Sequence, residues 1–132
     1  MTTLDEKLAL GRQFHEALRT KEWSLLEAIL TEDAVWTLPG SNEASGSGTI
    51  DGREAILDQF RIIASYGLNF DLKHVLVSRD NMALQLHNTA VDGDRRLDEH
   101  LATVCYLSGG KIAAIETFLS DVPGMNAFFS RD

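Results

Sequence analysis

Apolar residues near the N-terminus recur at intervals of three and four, with charged residues between them. Phe14 and Leu18 belong to this stripe, and the spacing predicts an amphipathic helix over Leu4–Thr20. Gly11 lies in the middle of the stripe, where glycine costs about 1 kcal/mol relative to alanine. We therefore expect another element to pack closely over Gly11.

Two short elements and a loop are predicted next. Trp23–Leu30 is predicted as a second helix, and Asp33–Leu38 as a strand that ends at Pro39-Gly40. Gly40–Thr49 contains three glycines and three serines, so we expect a surface loop that buries little. The alternative is that this loop covers a site, because functional loops are often placed over a rigid scaffold.

A third helix and four strands account for most of the remaining chain. Asp51 or Gly52 can cap a helix whose apolar stripe includes Ile56, Phe60 and Ile63. Apolar runs separated by short turns rich in glycine, asparagine and aspartate then predict hairpin-linked strands. These strands are Phe70–Ser78, Met82–Val91, Leu97–Leu107 and Ile112–Ser120. The order predicts an α+β fold in which three N-terminal helices pack on a curved, mostly antiparallel sheet.

The two faces of the strands differ in what they predict. Alternation along the second hairpin strand places Met82, Leu84, Leu86 and Asn88 on one face, which we expect to meet the helices. The next strand, Leu97–Leu107, is apolar on both faces and therefore needs cover on both. Three helices suffice for one side, so we expect a symmetric homodimer formed through the sheets.

Composition and charge exclude several classes of function. The chain has 132 residues, of which 44% are hydrophobic, enough for one domain with a real core. A formal charge of −8 argues against nucleic acid and anionic membranes as partners. Cys105 is the single cysteine, which excludes an intrachain disulfide and a thiolate metal cluster. With neither a secretion signal nor a membrane span in the pattern, we expect a cytoplasmic protein.

Four segments in a fixed order resemble one known superfamily. They are Trp23–Leu30 after the first helix, Thr31–Val35, Ile50–Ile56, and Gly109–Ile112 before the last strand. Together they resemble the nuclear transport factor 2-like superfamily, which includes ketosteroid isomerase, scytalone dehydratase, limonene epoxide hydrolase and the SnoaL-like polyketide cyclases. The resemblance covers nearly the whole chain, so that residues 1–132 are expected to form a single domain, and it implies a cone-shaped, cystatin-like α+β barrel with a pocket for a small apolar molecule. Such folds host many chemistries, so the reaction has to be argued from the pocket residues.

The ketosteroid isomerase machinery provides a specific test of that resemblance. That enzyme uses a carboxylate base with a tyrosine and a protonated aspartic acid. By resemblance the two tyrosines of its site fall at Phe14 and Phe60, the base at Leu38 and the protonated acid at Ala102. All four roles are vacant, and we reject steroid-type isomerisation by that machinery.

If Ala102 faces the pocket, alternation places Asp98 and His100 on the same face. A carboxylate beside an imidazole can orient it as a general base, so we predict His100 as the base and Asp98 as its partner. Asn88 is expected to supply an amide donor to an oxyanion or carbonyl. The alternative is that Asp98 is solvated at the sheet rim and that His100 is an interior histidine without chemistry.

The predicted pocket is otherwise apolar. Its expected substrate-binding residues are Phe14, Trp36, Leu38, Phe60, Asn88, Ala102, Ile115 and Thr117. A metal site would need a third ligand beside Asp98 and His100, and no spaced His/Cys motif supplies one, so we expect no metal and no cofactor. His74 alternates with Phe70 and Leu72 and is predicted to lie in the core.

Two functions remain open at this level. The first is a cofactor-free enzyme of the SnoaL-like type that dehydrates, cyclises or isomerises a small cyclic or aromatic substrate. The second is a non-catalytic protein of the same fold that binds a ligand or supports another protein.

Overall fold

Thr3 begins the first helix with a capping box. In the computed structural model, which describes residues 2–130, α1 spans Leu4–Thr20, as the spacing predicts. The Glu6 backbone N–H donates to Thr3 Oγ1 at 3.1 Å, and the Thr3 N–H donates to Glu6 Oε1 at 3.0 Å. Lys21, with φ 62°, ends the helix in the left-handed conformation.

The next elements differ from the prediction at their boundaries. Helix α2 spans Trp23–Glu27, strand β1 Leu30–Thr37, strand β2 Thr49–Asp51 and helix α3 Arg53–Ala64. The predicted second helix is too long because Leu30 is already paired with Ile112 of the sheet and is completely buried. Strand β2 was not predicted. Its three residues carry too short a pattern to be recognised.

The C-terminal half forms the large part of the sheet. Strands β3, β4, β5 and β6 span Asn69–Val77, Asn81–Asp92, Arg95–Ser108 and Lys111–Leu119, and helix α4 spans Val122–Phe128. The strand order is β2-β1-β6-β5-β4-β3, with β1 and β6 parallel and all other neighbours antiparallel. The predicted fold class is confirmed: helices pack on one face of a curved sheet, hereafter its inner face. No helix within residues 2–130 has the length and apolar character needed to cross a membrane.

Gly11 lies where α1 packs directly against the sheet. A Cβ atom at this position would be 2.8 Å from Val75 Cγ1 and 3.3 Å from Met82 Cε. The expectation that another element packs over Gly11 is therefore confirmed.

Gly11→Ala is expected to lower the free energy of unfolding, even though alanine is the better helix former by about 1 kcal/mol. Val75 is β-branched and cannot rotate away cheaply, so the added methyl group forces α1 off the sheet. In a Val75→Ala background the same change should instead raise stability. Urea unfolding of the two single variants and the double variant measures how Gly11→Ala changes the free energy of unfolding in each background. An equal change in the two backgrounds would contradict this packing.

The glycine-rich loop between β1 and β2 is more buried than its composition predicts. Ala44 and Ser45 are fully buried. Gln59 Nε2 on α3 donates to the Ala44 carbonyl at 2.6 Å, and Asn42 Nδ2 donates to Asn126 Oδ1 on α4 at 2.6 Å. The prediction that this loop buries little is wrong, because its backbone is held by side chains of two helices rather than by apolar residues of its own.

Candidate functional site

An apolar cavity lies between the inner face of the sheet, α1, α3 and residues 122–129, which are called the C-terminal segment. The space open to the centre of a water-sized molecule is about 50 Å³, within about 550 Å³ of empty space that includes the solvent at the mouth. Ala44 from the glycine-rich loop, together with Met125 and Phe129 from the C-terminal segment, contributes to its lining. The loop thus belongs to the wall of the cavity, which was the alternative interpretation of its sequence.

Three aromatic rings form one wall. Trp36 stacks on Phe60 with ring centroids 4.1 Å apart and planes at 8°, and Phe14 meets Phe60 edge-on at 5.7 Å. Trp36 Nε1 donates to Thr117 Oγ1 at 3.0 Å, and this hydroxyl lies 3.3 Å from Thr103 Oγ1. The indole N–H is therefore satisfied inside the wall.

Six of the predicted substrate-binding residues line the cavity and two do not. Those that line it are Phe14, Trp36, Leu38, Phe60, Asn88 and Thr117. Ile115 is buried in the core without reaching the cavity. Ala102 lies on the opposite, outer face of the sheet.

Strand β5 presents the opposite face from the one predicted. Leu97, Glu99, Leu101 and Thr103 line the cavity. The predicted catalytic residues, Asp98 and His100, are exposed on the outer face with Ala102 between β4 and β6. The prediction that Asp98 and His100 face the pocket is wrong, and so is the match of Ala102 to the isomerase acid.

The turn between β4 and β5 explains this difference. Asp92 pairs with Arg95, so the turn has two residues, Gly93 and Asp94. A three-residue turn over 92–94 would set Asn88 opposite Asp98, whereas the observed turn sets Asn88 opposite Glu99. Because directly opposed residues share a face, one residue in the turn decides which carboxylate enters the cavity.

Glu99 and Asn88 form the polar end of the cavity. Their exposed fractions are 3% and 8%, and both side chains line it. Among residues 2–130, Glu99 Oε1 and Asn88 Oδ1 have no hydrogen-bond partner. An unpaired buried polar atom costs about 1–3 kcal/mol, which a ligand that donates a hydrogen bond would recover.

The other oxygen of Glu99 is held by Ser120. Ser120 Oγ donates to Glu99 Oε2 at 2.5 Å and accepts from the His100 backbone N–H at 2.9 Å. The Ser120 hydroxyl thus accepts one hydrogen bond from the His100 amide and directs its own proton to Glu99. The carboxyl group is thereby fixed with one oxygen held and the other free toward the cavity.

Glu99 was missed from sequence because a lone glutamate in a strand is normally solvated. The sequence did contain one signal. Asn88 is predicted to face inward, as it does, and Glu99 is the polar residue paired with it across the hairpin.

The chemistry of this pair follows from its two polar groups. The free carboxyl oxygen of Glu99 can accept or return a proton, and the neighbouring amide of Asn88 can hold a polar group of the ligand.

Cys105 lies on the inner side of β5. It is completely buried opposite Met82 and Ile115 and does not line the cavity. Burial raises the pKa of its thiol well above the usual value, so the reactive thiolate is suppressed.

Cys105 is expected to react with a thiol-specific reagent such as DTNB only when the chain unfolds. At pH 8 in native buffer the absorbance change should be slow, and in denaturant it should be immediate and reach one thiol per chain. Rapid labelling of the native protein would contradict the placement of Cys105 in the core.

Comparisons with known proteins agree with this architecture. Residues 11–115 match the family model of the SnoaL-like domain. Bal32a, from a soil-derived mobile gene cassette, is 26% identical, with a TM-score of 0.87 over 95% of this chain and 97% of that one. A protein of unknown function with a cystatin-like fold from Xanthomonas campestris is 21% identical, with a TM-score of 0.82 over 95% and 98%. IdmH from Streptomyces antibioticus, provisionally described as a polyketide cyclase, is 16% identical, with a TM-score of 0.75 over 90% and 95%.

Among curated protein sequences, none matches this chain. Helices packed on a curved sheet around an internal cavity define the nuclear transport factor 2-like, or cystatin-like, class of fold. The family-model match covers most of the chain, and the chain belongs to the SnoaL-like family.

Proposed function

We propose that this chain is a cofactor-independent enzyme that moves a proton on a small, mostly apolar cyclic molecule, with Glu99 as the general acid and base. The observation that carries the proposal is the buried Glu99 carboxyl group, which has one free oxygen in an apolar cavity. The reaction class is the one expected from the resemblance, but the acting residue is Glu99 rather than His100.

The surroundings of Glu99 favour proton transfer. General acid–base catalysis contributes about 10²–10⁴-fold in rate, and the free oxygen of Glu99 is presented to the cavity where it can reach a proton of the ligand. Asn88 opposite Glu99 is placed to hold a hydroxyl or carbonyl group of the same molecule. Trp36 and Phe60 line the cavity and offer apolar contact to a ring.

IdmH, one of the structural neighbours, is described provisionally as a polyketide cyclase. At 16% identity that protein supports the fold alone, so the proposal for this chain depends on Glu99 and Asn88.

A non-catalytic binding protein is the second candidate. Phe14, Leu38 and Phe60 occupy three positions that correspond by resemblance to catalytic groups of ketosteroid isomerase, and all three are apolar cavity walls. In this case Glu99 and Asn88 would select a hydroxyl-bearing ligand without changing it.

A small carbon acid separates the two candidates. In 5-nitrobenzisoxazole a base removes the ring C–H proton, the electron pair forms the nitrile, and the N–O bond breaks to release a coloured phenolate. We expect the parent chain to accelerate this reaction above buffer, and 2-naphthol, which has two rings and one hydroxyl donor, to inhibit it competitively. Binding of 2-naphthol without any acceleration would favour the second candidate, and absence of both would exclude the proposed site.

We also propose that a second copy covers the outer face of the sheet. Leu76, Ala83 and Val104 form one row across β3, β4 and β5, flanked by Tyr106 and Phe118. Phe118 is 52% exposed, although large apolar residues favour burial. These five residues are called the outer apolar patch below, and a patch of this kind on a sheet is suited to a symmetric contact.

Phe118→Asp is expected to convert a dimer to a monomer, because the carboxylate would be buried against its own symmetry mate. Light scattering at micromolar concentration should give twice the 14.6 kDa of one chain for the parent and the single-chain mass for the variant. A monomeric parent chain would refute the dimer.

A further inference from the structure

The cavity chemistry leaves three side chains on the outer face unexplained. His87 on β4 lies directly opposite His100 on β5, and Asp98 is two residues before His100 on the same face. All three are open to solvent to some degree, with 26% of the His87 side chain and 74% of the Asp98 side chain exposed. We call them the outer His-Asp cluster.

The geometry of the outer His-Asp cluster is compact. The two imidazole rings stack with centroids 4.2 Å apart and planes at 5°, and His87 Nε2 lies 2.6 Å from Asp98 Oδ1. One ligand atom from each residue can be chosen so that all three lie within 4.8 Å of one another. Two imidazole nitrogens and one carboxylate oxygen thus lie close together on the surface.

We infer that His87, His100 and Asp98 form a binding site for one divalent transition-metal ion of the zinc type. Zinc takes histidine nitrogen and aspartate oxygen at about 2.0–2.2 Å in tetrahedral geometry, which sets ligand atoms about 3.4 Å apart. The observed spread of 4.8 Å is wider than that value, so metal binding requires rotation of these side chains, including a turn of the two stacked rings toward the ion. Water completes the fourth position.

His87 is the ligand that sequence spacing did not supply. Asp98 and His100 alone offer two ligands from one strand, and the pairing of β4 with β5 adds the third from its neighbour. The donor set also selects the ion: imidazole suits zinc, copper, nickel and iron, whereas calcium and magnesium require oxygen ligands.

The charges around the cluster are compatible with a cation. Asp71 on β3 lies opposite His87 and is paired with Lys73 at 2.7 Å, so its charge is largely balanced. The cluster borders the outer apolar patch, because Phe118 lies opposite Ala102, two residues from His100, and Phe118 and His100 line the same surface depression.

Titration calorimetry of the full chain, with no added histidine tag, tests the site with ZnCl₂ and with CaCl₂. We expect one Zn²⁺ per chain and no calcium binding. His87→Ala and His100→Ala should each weaken zinc binding at least tenfold, and Asp98→Asn should weaken it measurably. Loss of a residue that binds the metal directly costs at least as much affinity as loss of a residue that only supports such a ligand.

His74→Ala is the matched control. His74 is predicted from sequence to be in the core, but the bulge at Lys73 turns it outward, opposite Gln85 and outside the cluster. Zinc affinity of this variant should stay within twofold of the parent. Zinc binding weaker than about 1 mM in the parent, or an equal loss in His74→Ala and His87→Ala, would overturn the site.

Discussion

Glu99→Gln is expected to reduce the acceleration of 5-nitrobenzisoxazole ring opening by about 100-fold or more while the protein stays folded. The amide has the shape of the carboxyl group and can still accept the hydrogen bond from Ser120. It cannot take up a proton, so the chemical step is lost. 2-Naphthol should still bind, because Asn88 and the aromatic wall remain.

Glu32→Gln provides the matched control for this variant. Glu32 is exposed on β1, outside the cavity lining, and the substitution changes the net charge by the same amount. Its rate should equal that of the parent. An equal loss in both variants would show that charge rather than position matters, and full activity in Glu99→Gln would remove Glu99 from the mechanism.

Trp36→Ala is expected to lower the free energy of unfolding by about 3–5 kcal/mol, the usual cost of truncating a buried aromatic residue. The change removes the nearer of the two rings stacked on Phe60, the other being Trp23, and leaves Thr117 without its indole donor. Because small domains unfold with about 5–15 kcal/mol, a loss of this size is a large part of the total. Urea unfolding followed by circular dichroism measures it.

Trp36→Phe separates the two contributions of Trp36. It keeps a ring against Phe60 and removes the hydrogen bond to Thr117, so we expect a loss of about 1–2 kcal/mol. A loss as large as that of Trp36→Ala would mean that the hydrogen bond, not the stacked ring, stabilises this wall.

The elements in which apolar residues recur at regular spacing could be predicted from sequence. Helix α1 has the predicted bounds because its stripe is long and Thr3 caps it, and β4 shows the predicted inner face because polar and apolar residues alternate clearly along it. The short strand β2 and the buried loop residue Ala44 could not be predicted, since contacts with other elements decide both.

The candidate site could be predicted only in part, for a physical reason. The apolar wall of Phe14, Trp36, Leu38 and Phe60 was predicted, because the elements that carry these residues have one clearly buried face. The acting carboxylate was not, because β5 is apolar on both faces and alternation alone leaves its orientation undecided. The length of the turn at Gly93 then determines the orientation.

A crystal structure of the chain with bound 2-naphthol tests the central claim most directly. The account predicts that the two rings lie against Trp36 and Phe60 and that the hydroxyl group is within hydrogen-bond distance of Glu99 Oε1 or Asn88 Oδ1. A cavity that stays empty while the ligand occupies the outer face of the sheet, or a bound ligand whose hydroxyl avoids both oxygens, would contradict it.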